Sequence, residues 1–125
     1  MRYLLDTHVA YWAFYKPSKL GVSGHKAIED AEEIYVSAAN LWEIAIKHRL
    51  GKIDANPHEM LLKLDESNFE ELPILARHTL NVSRLPLHHA DPFDRLLISQ
   101  ARSENLTLMT ADSFLQKYGT HIFVI

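Results

Sequence analysis

Four acidic residues, Asp6, Glu43, Asp94 and Asp112, each fall just beyond a segment that reads as a strand or within the first turns of the helix that follows one. Carboxylates gathered in one place repel, and each raises the pKa of its neighbours. A hard divalent cation relieves that repulsion, and oxygen ligands suit Mg²⁺ or Mn²⁺. One or two such ions can lower the pKa of a water, orient it in line and stabilise the leaving oxygen of a phosphodiester. No side-chain nucleophile is then required. Hydrolysis of a phosphodiester is the chemistry these residue types permit.

Taken singly, each acid has a simpler account. Asp6 and Asp112 could each cap a following helix, and Asp94 would face a favourable helix dipole at the third position of its helix. Glu43 and Lys47 form an i,i+4 pair worth about 0.3 kcal/mol on a solvated helix face. Asp91 reads as an N-cap first. What distinguishes the four is that distant segments bring them to one sheet edge, where open α/β sheets bind ligands.

The elements that must position them follow from pattern. Residues 2–5 form a short apolar run ending at Asp6-Thr7, a buried strand turning into a helix over 8–15 that Pro17 stops. A more exposed helix over 23–33 precedes a brief strand at 34–36, with Ser37 placed as an N-cap. Leu41, Trp42, Ala45 and Ile46 recur at helical spacing over 38–50, and Gly51 ends that helix. Asn56-Pro57-His58-Glu59 and Asp91-Pro92-Phe93-Asp94 are both helix starts with a cap and a proline at the first position. The first helix runs to about residue 67, the second through Leu96, Leu97, Ile98 and Ala101. Residues 69–72, 106–109 and 122–125 read as strands, 74–83 as a helix and 113–118 as a short one. Strands alternating with helices imply a parallel sheet of four to five strands, covered on both faces.

With 125 residues the chain fits one α/β domain, residues 1–125. Hydrophobic residues at 47% and charged residues at 23% describe an ordinary globular protein. There is no cysteine, so neither a disulfide nor a thiolate zinc site is available, and a reducing compartment is the simpler assumption. No signal-peptide pattern or apolar run of about 20 residues occurs, so a cytoplasmic protein with no membrane span is expected. The net charge of −3 disfavours nucleic-acid binding by bulk electrostatics. A nucleic-acid enzyme remains possible only if a bound cation offsets the acidic site.

Several pieces resemble a known family. They are Leu4-Leu5-Asp6-Thr7-His8, the run from Val36 through Trp42-Glu43 to Lys47, the run from Asp91-Pro92-Phe93-Asp94-Arg95 to Ala101, and Leu108-Met109-Thr110-Ala111-Asp112. In this order and spacing they are similar to PIN-domain proteins of the VapC toxin type. The resemblance implies a PIN-like fold and a Mg²⁺- or Mn²⁺-dependent endoribonuclease. It also implies a homodimer neutralised by a small antitoxin encoded beside it. Asp6 and Asp94 would be the chief metal ligands, with Glu43 and Asp112 completing the pocket. Thr7 and Thr110 match supporting hydroxyl positions. Asn40 stands where the family often has serine or threonine, and asparagine also hydrogen-bonds. Ala90 replaces a frequent basic residue, which removes one possible phosphate contact and affects substrate affinity or choice.

Lys47 and Arg95 lie beside Glu43 and Asp94, and both are expected to face an RNA substrate groove. Among eight histidines, His88 and His89 are adjacent and cannot both face one ion in a regular element. No His-Glu-x-x-His occurs, so both read as surface residues at the pocket rim. Trp12, Phe14, Trp42 and Phe93 could stack on bases but at helical spacing read as core or subunit contacts. Two rival readings differ in class. A Mg²⁺-binding phospho-receiver needs paired acids after the first strand, a phosphorylatable aspartate after the third and a lysine before the last. Here Asp6 stands alone, the Leu72-Pro73-Ile74 region has no aspartate, and no lysine closely precedes Ile122. A catalytically silent PIN-like module that binds RNA or protein would leave four gathered carboxylates without a purpose.

Overall fold

Strand β1 (Arg2–Leu5) sends Tyr3 and Leu5 to one side and Leu4 to the other, the period-2 alternation of a strand buried on both faces. The computed structural model describes residues 1–125 and repeats this division throughout. Strand β2 (Glu33–Ser37) directs Ile34 and Val36 to the first face, and β4 (Thr107–Thr110) places Met109 there and Leu108 on the second. Short strands β3 (Glu70–Leu72) and β5 (Ile122–Val124) close the edges. All four pairings are parallel and the order is β3-β2-β1-β4-β5. Every strand therefore presents its carboxyl end at the same sheet edge.

Helices α1 (Thr7–Tyr15), α2 (Gly21–Asp30), α3 (Ala38–Arg49) and α4 (Pro57–Glu66) supply most of the first core, around Val9, Ile44, Met60 and Leu64. Helix α6 (Pro92–Ser103), with the short α5 (Ala76–Asn81), covers the second face, where Leu97, Ile98 and Ala101 meet Leu4, Leu106 and Leu108. The expected α/β class with helices on both faces is what forms, with five strands. The order differs from the 2-1-3-4-5 arrangement of receiver-type sheets, which removes that rival. No helix is long and apolar enough to cross a membrane.

Some boundaries differ from the pattern-based expectation. The helix expected over 23–33 ends at Asp30, because Glu33 pairs with Arg2 in the β1–β2 register and forms an ion pair with it at 3.3 Å. The helix expected over 74–83 is only Ala76–Asn81, followed by a 3-10 turn at Val82–Arg84. Its start is set by buried His78, whose Nδ1 accepts the Leu75 N–H at 3.0 Å. Residues Ser113–Tyr118 form a 3-10 helix, and Pro17 opens another 3-10 turn, Pro17–Leu20, directly after α1. Gly51 follows α3 at φ +71°, the left-handed stop expected there.

Candidate active site

Asp6 serves as the cap of α1 and as a member of the acidic cluster at once. Its Oδ1 accepts the Val9 N–H at 2.9 Å, while its Oδ2 accepts the hydroxyl of Thr110 at the end of β4. The same Thr110 oxygen accepts the Asp112 N–H at 3.0 Å, so the turn after β4 is tied to the turn after β1. Asp112 then caps the Ser113–Tyr118 turn through Phe114 N–H at 3.0 Å. Its own side chain is exposed.

Glu43 arrives on the second turn of α3, whose start is fixed by two reciprocal bonds. The Ser37 hydroxyl accepts Ala39 N–H at 2.9 Å, and Asn40 Oδ1 accepts Ser37 N–H at 2.7 Å. Asn40 Nδ2 donates to Thr7 Oγ1 at 3.0 Å, and that hydroxyl donates to Glu43 Oε1 at 2.6 Å. The other carboxylate oxygen meets Lys47 Nζ at 2.9 Å. The i,i+4 pair thus exists, but Glu43 is buried rather than on a solvated face.

Asp94 enters from the first turn of α6. Asp91 is the cap, accepting Phe93 N–H at 2.8 Å and Asp94 N–H at 3.0 Å. Asp94 Oδ2 lies 2.9 Å from His89 Nε2. Donor atoms of His89, Asp94 and Asp112 all fall within 4.8 Å of one another.

Burial pushes the Asp6 carboxyl up to about 6, against hydrogen bonds from Thr110 and Val9, with repulsion from Glu43 and Asp112 adding to it. Burial likewise raises Asp94 to about 6, helped by Asp91 and Asp6 and opposed by His89. Two carboxyls from opposite ends of the chain are therefore held where ionisation is costly. The donor set is carboxylate oxygens with one imidazole nitrogen, a chemistry that can hold Mg²⁺ or Mn²⁺. Every buried side-chain polar atom has a partner.

Arg95 departs from expectation. Its side chain turns inward instead of toward a substrate groove: Nη1 donates to Pro86 O at 2.9 Å, His89 O at 3.4 Å and Tyr118 Oη at 3.2 Å, and Nη2 donates to Val82 O at 3.2 Å. With 9% exposure it clasps the 82–89 segment, bonding the Pro86 and His89 carbonyls and sharing the Val82 carbonyl with the Leu85 N–H. His89, expected as a plain surface histidine, instead touches Asp94 and is half-buried. Its proximity in sequence to Asp91 was the only available signal. Trp42 and Phe93 meet edge to face at 4.9 Å, joining α3 to α6, although Trp42 keeps 57% exposure. Trp42, Ile46 and Leu50 border a groove of about 600 Å³ beside α4, separate from the carboxylates.

Residues 3–120 match the PIN domain family model. The chain is 31% identical over 117 residues to Ribonuclease VapC22 of Mycobacterium tuberculosis (strain ATCC 25618 / H37Rv), covering 92% of this chain and 90% of that protein. Its fold is similar to VapBC2 of Rickettsia felis bound to a promoter DNA fragment, with TM-score 0.70, 21% identity and coverage of 100% and 98% of the two chains. DNA-bound VapBC of Salmonella typhimurium superposes with TM-score 0.71 at 16% identity, covering 99% and 98%. At these identities the two solved structures speak for the fold alone. The sequence relationships place the chain in the PIN-domain family, on the side of the VapC proteins.

Proposed function

We propose that this protein is a divalent-metal-dependent endoribonuclease acting as the toxin of a toxin–antitoxin pair. The observation that supports this reading is that Asp6 feels the charge of Glu43 and Asp112, and Asp94 that of Asp6, at one end of the sheet. Asp6 and Asp94 are both raised to about 6, and the one donor group within 4.8 Å of one another is Asp94 and Asp112 with His89. Asp6 and Asp94 are the chief ligands in this proposal, and Glu43 and Asp112 complete the cup. When bound, Mg²⁺ or Mn²⁺ supplies activation of the attacking water and stabilisation of the leaving oxygen.

The chain's own residues hold the arrangement still. Thr110 restrains one oxygen of Asp6, and Thr7 restrains one oxygen of Glu43, itself aligned by Asn40. Lys47 touches the cluster through Glu43 and is the side chain available to meet a substrate phosphate. RNA rather than DNA is favoured by the ribonuclease relative. A small antitoxin is proposed from the VapC-type family of the relative, and exposed Trp42 and Ile46 on α3, with Leu50 at its end, support a protein partner. A homodimer and a cytoplasmic location complete the proposal. A silent module is disfavoured, because buried carboxylates without a cation cost stability.

Cleavage of RNA by purified protein, with and without EDTA and with Mn²⁺ restored, tests the proposal. Asp6→Asn and Asp94→Asn are each expected to lower cleavage by at least about a hundredfold while retaining the fold. Equal activity in wild type and both variants would identify a contaminating nuclease and sink the assignment.

A further inference from the structure

His89 occupies a place that the four-carboxylate arrangement does not account for. Its Nε2 approaches Asp94 Oδ2 at 2.9 Å, and its ligand-capable nitrogen lies within 4.8 Å of the carboxylate oxygens of Asp94 and Asp112. A separation of 2.9 Å between two donors is also close to the edge of an octahedron whose bonds are about 2.1 Å. The backbone on either side of the ring is anchored from several directions. His89 N–H donates to Tyr118 Oη at 2.9 Å, and its carbonyl accepts from buried Arg95. The ring packs against Phe114 with centroids 5.6 Å apart. An exposed rim histidine needs none of these supports.

We propose that His89 is a nitrogen ligand of the metal site, shared with Asp94 and Asp112, and that it tunes the site toward Mn²⁺ over Mg²⁺. The inference rests on the metal-dependent reading above and goes beyond it by naming a donor and a preference. Mg²⁺ holds to oxygen ligands and releases water reluctantly, whereas imidazole suits transition ions. Replacing one carboxylate or water with a neutral imidazole therefore weakens Mg²⁺ relative to Mn²⁺. It also leaves the site open to capture by Zn²⁺ or Ni²⁺, which outrank Mn²⁺ on nitrogen donors. In the metal-free protein the ring holds Asp94 by a hydrogen bond. For Nε2 to serve as a ligand, the proton it shares with Asp94 would pass through solvent to Nδ1, leaving the neutral ring with its Nε2 lone pair free for the ion.

The test is metal binding by the intact protein, read without reference to cleavage. Pulsed EPR of the Mn²⁺-loaded wild type should show ¹⁴N coupling from a directly bound imidazole, lost in His89→Ala. Titration calorimetry should show Mn²⁺ affinity falling about tenfold or more in His89→Ala, with Mg²⁺ affinity nearly unchanged. The variant should fold, because the backbone of residue 89 makes the anchoring bonds to Tyr118 and Arg95. If it does not, the EPR signal of the wild type decides alone. Mn²⁺ bound with no nitrogen coupling, or equal losses for both ions, would overturn the role of His89 and leave the nuclease proposal standing. No binding of either ion by the wild type would overturn both.

Discussion

At the scale of single residues, the two raised carboxyls make stability depend on pH in an uncommon direction. A carboxyl at about 6 in the fold and 3.8 when unfolded binds more protons in the folded state between those values. Stability from these groups is therefore fully present below about pH 4 and is lost as pH rises through about 6. For Asp6 the ionised fold is disfavoured by on the order of 3 kcal/mol. The effect is smaller for Asp94, whose side chain keeps 25% exposure. Urea unfolding in EDTA is expected to show a smaller midpoint at pH 7 than at pH 5, and Asp6→Asn should flatten that slope. Arg95 makes the opposite kind of prediction. Arg95→Ala strands the Pro86 carbonyl, takes the second donor from Val82 O and removes the bond to Tyr118, and should cost about 2–4 kcal/mol in thermal or urea unfolding. A change confined to RNA affinity, with unfolding unaltered, would restore it to the substrate surface.

Among the elements, one buried side chain on α6 ties three others together. Gln100 on α6 is fully buried; it accepts Ser37 Oγ at 2.6 Å and donates to Pro73 O at 3.3 Å, with His78 Nδ1 also at 3.3 Å. It thereby joins the ends of β2 and β3 to α5. Gln100→Ala should lower stability by about 2–4 kcal/mol, measured by denaturant unfolding, because Ser37 and Pro73 lose buried partners. The helix starts at Asn56, Asp91 and Ser37 were legible because capping is local chemistry: side chain and recipient N–H lie within three residues. The placement of Asp6 and Asp112 at strand ends and of Asp94 in the first turn of α6 was legible for the same reason. Arg95 and His89 were not. Their roles depend on the path of the 82–89 segment and on Tyr118, a partner more than twenty residues away, and no periodicity encodes that path.

For the whole molecule, the acids lie on a sheet whose central strand comes first in the chain. Ligand that binds only the folded state adds stability by mass action, about 2.7 kcal/mol at a hundredfold excess over Kd. Mn²⁺ is thus expected to raise the melting temperature, more at pH 7.5 than at pH 5, as scanning calorimetry would register. A rise independent of pH would place the ion away from Asp6 and Asp94. The strand order also has a temporal side. β1 lies between β2 and β4, and Asp6 N–H donates to Met109 O at 2.9 Å. During synthesis the opening strand must wait for residues 107–110 before its second flank is covered. Its aspartate meets Thr110 only then. A pocket laid out this way stays unassembled on the ribosome until the segment carrying Thr110 and Asp112 has emerged, so a nascent chain cut short before it holds Asp6 without its partner.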